Sequence, residues 1–265
     1  MRSAWRQLHR HYWMLIIPIV IDAGALAIGL RVVGFGGHPQ ASFQVLLDVG
    51  LPSVSHVLHS SLMANSTPFL QSPLGVTAVL AGIFALYSVI DAYAKGGYIG
   101  LLYKASRNES LRFHDFMAYG RKYAWKFLLW AVLVNAATTA VTVLLLSLFG
   151  VLSYFLALLV FFLLRVVFVY AEFVIVVDQA RLGEALSLSR GYLKQSSPSV
   201  YMAILLMFVV AGSIGWAVHQ LWTPYAVFLG IPVYAYAISI VYLALMVKLN
   251  EARGSGMLYS PENRN

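Results

Sequence analysis

Over most of this chain the hydrophobic residues neither alternate as in a half-buried strand nor recur every three to four positions as on a surface helix. They come in runs of about 20 or more, separated by short polar stretches. At about 1.5 Å per residue, such a run wound as a helix crosses a hydrocarbon core roughly 30 Å thick, and it satisfies its backbone hydrogen bonds internally while doing so. Six runs can be drawn, over about 13–33, 74–103, 123–148, 153–177, 198–218 and 225–248. The pattern predicts an all-α fold, a polytopic membrane helical bundle of six transmembrane helices, with residues 1–265 forming a single membrane domain.

The polar stretches mark where the helices begin. Ser72-Pro73, Ser197-Pro198 and Thr223-Pro224 each put a hydroxyl N-cap before a proline at the first helical position. Pro18 and Pro232 fall inside runs and predict kinks, which membrane helices tolerate when neighbours satisfy the freed carbonyls. Trp13, Trp125, Trp216 and Trp222 lie near run ends, where an indole favours the interface. The N-terminal arginines, the run Met14 to Ile21 and Ala25-Leu26-Ala27 have the parts of a secretory signal. Asp22 is out of place between such a run and a cleavage site, so a retained first helix is expected.

Two connections read as amphipathic helices. In 178–194, Leu182, Ala185, Leu186, Ser189 and Leu193 share a face, with Arg181, Glu184, Arg190 and Lys194 turned from it; in 111–124 the face is Phe113, Phe116, Met117, Gly120 and Ala124. Such helices lie in the headgroup plane with their basic residues toward anionic lipid, or brace the bundle from below. Asp115, Met117, Arg121 and Tyr123 match Glu184, Leu186, Arg190 and Tyr192 at a constant offset. This suggests a parallel repeat of 74–148 and 153–218 about an axis along the membrane normal.

Composition adds the orientation. Only 11% of residues are charged and 60% are hydrophobic, against roughly 25% and 45–50% in soluble domains. The net charge of +8 forms no single patch of the kind that binds nucleic acid. Arg2, Arg6 and Arg10 precede the first run; Lys104, Arg107, Arg112, Arg121 and Lys122 lie in 104–122; Arg181, Arg190 and Lys194 lie in 178–197; Arg253 and Arg264 lie in the tail. The segments 34–73, 149–152 and 219–224 hold no Lys or Arg. Positive loops stay in the cytoplasm, so this alternation predicts six crossings with both termini cytoplasmic and both amphipathic connections on the cytoplasmic side. Arg121, Arg190 and Lys194 are the candidate cytoplasmic interface. The chain has no cysteine, hence no thiol nucleophile and no Cys-ligated metal.

Chemistry inside the membrane rests on five ionisable residues, Asp22, Asp91, Lys95, Arg165 and Glu172, with Arg31 close enough to a run end to snorkel. Each costs about 2.5–3.5 kcal/mol at mid-bilayer on insertion scales, so the five are expected to face inward and to pair. Depth counting brings Asp22 and Arg165 together near the midplane, and Asp91 and Lys95 sit four apart on one helix. Such a cluster either locks helices together or binds an anionic or zwitterionic ligand or relays a proton. Gly96, Gly97 and Gly100 read as a helix-packing face. His56 and His59, with His38 and Asp48 nearby, fall short of the three or four converging ligands zinc requires, so no metal and no cofactor are expected. The outer segment, with Phe43, Leu46, Leu47, Val54, Val57, Leu58 and Leu62 at helical spacing, is expected to lie on the outer leaflet. No nucleophile elbow, phosphate loop, HExxH or dinucleotide fingerprint occurs, and no catalytic residue is assigned.

Gly96-Gly97-Tyr98-Ile99-Gly100, Ser110-Leu111 with Phe116 and Gly120, and Val177-Asp178 followed by Glu184-Ala185-Leu186 and Ser189 resemble a broad group of bacterial six-span membrane proteins. That group includes the membrane domain attached to some glycerophosphodiester phosphodiesterases. The similarity covers roughly residues 75–215 and implies a bacterial inner-membrane protein. The soluble barrel that does the phosphodiester chemistry has no counterpart in this sequence, so the resemblance implies no phosphodiesterase activity. Three functional expectations follow: a non-catalytic protein that handles or transports a lipid or small polar solute; a scaffold or accessory subunit that binds a protein partner through its cytoplasmic helices; and a membrane-embedded enzyme acting on lipid headgroups. The partners expected are the lipid bilayer with a lipid or small-molecule ligand, or a protein, and no nucleic acid.

Overall fold

The computed structural model describes residues 2–32, 51–54, 74–196 and 198–255, and what is said of structure below concerns these. Helices account for nearly all of them, and no strand occurs among them. In chain order they are α1 (Arg2–Arg10), α2 (Ile16–Val32), α3 (Leu74–Ser106), α4 (Phe113–Phe149), α5 (Ser153–Val167), α6 (Ala171–Val177), α7 (Leu182–Gln195), α8 (Ser199–Leu221) and α9 (Pro224–Ser255). Five stretches among the described residues are long and apolar enough to cross a membrane: Tyr12–Arg31, Phe113–Phe149, Phe155–Val177, Ser199–Leu221 and Pro224–Gly254. The run expected over 74–103 falls on α3, a helix of 33 residues.

The helix α9 is the central post, packing on α1, α2, α3, α7 and α8. Its Ile231, Tyr234, Ala235 and Ile238 are buried at helical spacing, and from Val241 to Met246 every residue is buried, as in a helix surrounded by others. Thr223 caps it as expected, its Oγ accepting the Ala226 N–H at 3.1 Å. Ser72 and Ser197 lie outside the described residues. Pro18 sits in the first turn of α2, after a 3-10 turn over Tyr12–Leu15. It removes an N–H that has no intrahelical partner there, so the expected kink has no cause.

The α3–α4 pair is close because its contacts are glycines. A Cβ on Gly97 would meet the ring of Phe116, one on Gly100 the ring of Tyr119, and one on Gly120 the ring of Tyr93. The packing-face reading of Gly96, Gly97 and Gly100 therefore holds. The amphipathic segment expected at 111–124 is not a separate helix. It is the first part of α4, 37 residues without a break. Its inward positions are Phe116, Gly120, Tyr123, Phe127 and Trp130, while Phe113 and Met117 are 60% and 46% exposed. The inward register thus follows steps of four and three into the span, which a face drawn from 111–124 alone does not reveal. In the second segment, α7, Ala185, Ser189 and Leu193 of the drawn face are buried and Leu182 and Leu186 half buried, while Arg181, Glu184, Arg190 and Lys194 are exposed.

Four basic segments meet at one end of the bundle. Gln7 Nε2 donates to Asn108 Oδ1 (3.2 Å), Lys122 Nζ to Gln179 Oε1 (3.0 Å), and Asn250 Nδ2 to Ser106 Oγ (2.6 Å). Arg253 Nε lies 2.9 Å from Asp178 Oδ1. The two connections matched in sequence also start their helices alike. Arg112 and Arg181 are extended N-caps whose N–H groups donate to Asp115 (2.9 Å) and Glu184 (3.2 Å). Each follows a turn through a carboxamide residue at positive φ, Asn108 at 58° and Gln179 at 55°. Tyr123 and Tyr192 both reach the end of α6, donating to Val176 O (3.2 Å) and Asp178 Oδ2 (3.1 Å).

Candidate functional site

The span Phe155–Val177 is interrupted. Helix α5 ends at Val167, Phe168–Tyr170 form a turn, and α6 resumes at Ala171, so the break falls between Arg165 and Glu172. At the break the ladder tightens, Ala171 N donating to Phe168 O at 3.0 Å. The seryl hydroxyl of Ser189 on α7 stands beside it, accepting the Tyr170 N–H at 3.2 Å and donating to Val167 O at 3.4 Å. A side chain working into the helical ladder is a known cause of such a kink. It also satisfies two backbone groups that the break leaves without helical partners. Seven consecutive residues of α6, Ala171 to Val177, are buried.

A first group of buried charges is formed by Asp22 and Arg165. Asp22 is the eleventh of the 20 residues of Tyr12–Arg31, and Arg165 is the eleventh of the 23 of Phe155–Val177, so each sits at mid-span. Asp22 is 1% and Arg165 2% exposed. The Asp22 carboxylate accepts the Ser53 hydroxyl at 2.5 Å and the Val54 N–H at 2.6 Å. Residues Leu51 to Val54, expected on the outer leaflet, are thus inside the bundle at the depth of Asp22, each of them buried. Non-helical backbone at that depth needs an internal acceptor, and the carboxylate supplies it. Tyr234 of α9 lies within electrostatic reach of both Asp22 and Arg165, and Arg165 Nη2 also points at Met207 Sδ of α8 (3.6 Å). The rest of the outer segment, with His38, Asp48, His56 and His59, lies outside the described residues.

A second group is formed by Lys95 and Glu172. Lys95 Nζ of α3 is 3.9 Å from Glu172 Oε1 of α6, and Trp130 Nε1 of α4 donates to the same oxygen at 3.0 Å. Lys95 and Glu172 are 1% and 2% exposed. The helix-local partnership expected for Asp91 and Lys95 gives way to this interhelical one. Asp91 is half buried, and its Oδ1 accepts no hydrogen bond. Four of the five predicted residues, Asp22, Lys95, Arg165 and Glu172, are therefore core residues, with Asp91 less deep. Ser53, Trp130, Ser189 and Tyr234 join them. Of these only Ser189 carried a signal, a hydroxyl on an otherwise apolar helix face.

Of the cytoplasmic candidates, Arg121, Arg190 and Lys194 are all exposed, and no acidic side chain among the described residues pairs with them. Beyond α6, Asp178 is drawn into the basic end, where desolvation by burial pushes its carboxyl above the usual range against the opposing pull of Arg253 and the Tyr192 hydroxyl. Among the described residues no group of three or more metal-ligating side chains converges.

Fold and site together define a helical membrane protein with several helices able to span and with buried charges at membrane depth. Comparison of the chain with protein-family models, curated proteins and solved structures finds no match in any of the three.

Proposed function

We propose that this chain is a non-catalytic six-span protein of a bacterial cytoplasmic membrane, both termini inside, that handles or transports a small polar solute or lipid headgroup at the centre formed by Asp22, Lys95, Arg165 and Glu172. The observation that carries this is the break in the fourth span, lying between a buried arginine and a buried glutamate, in a bundle where a buried aspartate holds irregular backbone at mid-span. Interrupted helices and ionisable side chains at membrane depth are the features from which carriers build binding sites. With two acids and two bases in the centre, the matching ligand is zwitterionic, or anionic with an accompanying proton. Six spans and the inward termini follow from the alternation of basic and uncharged connections.

The second reading, a scaffold or accessory subunit that uses its basic helices to hold a partner, is favoured by one observation: all four charges are at most 2% exposed, and Lys95 and Glu172 face each other. Native mass spectrometry of the gently purified protein separates the two. A defined small molecule retained by the wild type and lost in Arg165→Gln and Glu172→Gln supports the carrier. The same unselective lipids in all three support the scaffold.

A further inference from the structure

Where α4 passes the turn between α6 and α7, three cations gather that the buried centre does not use. Lys122 and Lys126 lie one turn apart on α4, and Arg181 caps α7 beside them; Lys126 is within the electrostatic reach of both Lys122 and Arg181, and Glu184 is the one acid it senses. The two ammoniums are held in place by the turn. Lys122 donates to Gln179 Oε1 at 3.0 Å, and Lys126 to the carbonyls of Gln179 and Ala180, each at 3.0 Å. Both also lie over the Tyr123 ring, at 5.3 and 5.7 Å. Each ammonium has three donors, so these contacts leave donors on both, and carbonyls and rings position the cations without cancelling their charge. Glu184 accepts the Arg181 backbone N–H (3.2 Å) and keeps its charge, so the three cations outnumber the one acid beside them, while Asp178, at the end of α6, is paired with Arg253 (2.9 Å). Trp125, on the turn between the two lysines, is 67% exposed. An exposed indole at a span end marks the headgroup layer.

We infer that Lys122, Lys126 and Arg181 form a discrete binding site for the phosphate of an anionic phospholipid in the leaflet facing the basic end. A fixed pair of ammoniums with a guanidinium at headgroup depth matches a lipid phosphate, whose acyl chains would run along the exposed apolar side of α4, past Leu129, Val132 and Leu133. Arg190 and Lys194 belong to the other end of α7, about 13–20 Å along the helix from Arg181, and are no part of the site. The inference needs the membrane reading but no solute at the buried charges, so it stands or falls separately from the carrier function.

The test places the full chain in phosphatidylcholine nanodiscs containing a minor share of phosphatidylglycerol and counts retained lipids by native mass spectrometry. Wild type is expected to keep phosphatidylglycerol over phosphatidylcholine. Lys122→Gln/Lys126→Gln/Arg181→Gln is expected to lose that preference by roughly a hundredfold, since each basic residue near a charged surface contributes about a factor of five. Arg190→Gln/Lys194→Gln, with two charges removed from the same helix, should keep it. Lys122→Gln alone, which gives up one exposed hydrogen bond, provides a folded intermediate should the triple variant unfold, with a several-fold loss expected. Equal retention in wild type and Lys122→Gln overturns the site, as does an equal loss in the Arg190/Lys194 variant, which would mean a diffuse field. Displacement of the lipid by inorganic phosphate without regard to acyl chains would overturn the lipid as occupant.

Discussion

Replacing Asp22 by alanine removes the acceptor for two groups at once, the Ser53 hydroxyl at 2.5 Å and the Val54 N–H at 2.6 Å. Hydrogen bonds to an ionised acceptor contribute about 1.5–3 kcal/mol each, and a buried N–H left without one keeps its full desolvation cost. Undocking of Leu51–Val54 should therefore become easier by about 3–6 kcal/mol, or roughly 10²–10⁴ in the population of the opened form. The chain has no cysteine, so a single Leu51→Cys, at a position 2% exposed, reports that opening through its reaction with a small thiol reagent. On the wild-type background the cysteine should label slowly. With Asp22→Ala it should label faster by orders of magnitude, and with Ser53→Ala, which spares the charge, by roughly 10–10². Size-exclusion profiles of the variants establish that the bundle itself is intact. Equal labelling of Leu51→Cys with and without Asp22 would refute the role given to this carboxylate.

Four further outcomes are expected. Lys95→Met should destabilise by about 3–5 kcal/mol, because it strands Glu172 in the core, and Lys95→Met/Glu172→Gln should recover part of that in a thermal unfolding assay; no recovery would mean the two act separately. Ser189→Ala should lower the unfolding midpoint, at a cost of about 1–3 kcal/mol for the Tyr170 N–H left at the break, whereas Ser187→Ala, on the exposed side of α7, should change little. Asp178 has a folded-state pKa raised above 3.8 by burial. The folded state therefore holds its proton more tightly than the unfolded one, and stability falls as pH rises from 3.8 through the raised value; Asp178→Asn should flatten that part of the stability profile. Cysteines replacing Leu152 and Leu221 should react with an impermeant reagent from the outside and one replacing Ser110 should not, the reverse pattern overturning the orientation.

The helices were legible because their lengths are set by the bilayer and their ends by Lys, Arg and hydroxyl caps, all of which are local in sequence. The continuity of Phe113 to Phe149 was not, because an amphipathic start and an apolar span look like two elements when the inward positions Phe116, Gly120, Tyr123, Phe127 and Trp130 are read in separate windows. The four buried charges, among the five expected, follow from the cost of placing a charge in lipid, which needs no knowledge of the fold. Their contacts are not legible in the sequence. Lys95 turns to Glu172 rather than to Asp91, since the glycines of α3 let α4 approach and bring Trp130 to the same carboxylate. The docking of Leu51–Val54 on Asp22 depends on a tertiary contact across about 30 residues that no periodicity encodes. The break beside Ser189 has no proline or glycine to announce it.

The most direct test of the account is whether the break in the fourth span is reached by a polar solute. A cysteine replacing Val169, fully buried in the turn between α5 and α6, would be exposed in intact membranes to a small charged thiol reagent, with Leu163→Cys, 53% exposed on the outer side of the same span and well inside its ends, as the control. A carrier predicts that the Val169 cysteine reacts far faster than the Leu163 control, because the centre opens to water during its cycle. A Val169 cysteine as inert as the control would contradict the carrier and leave Asp22, Lys95, Arg165 and Glu172 as a dry lock between helices.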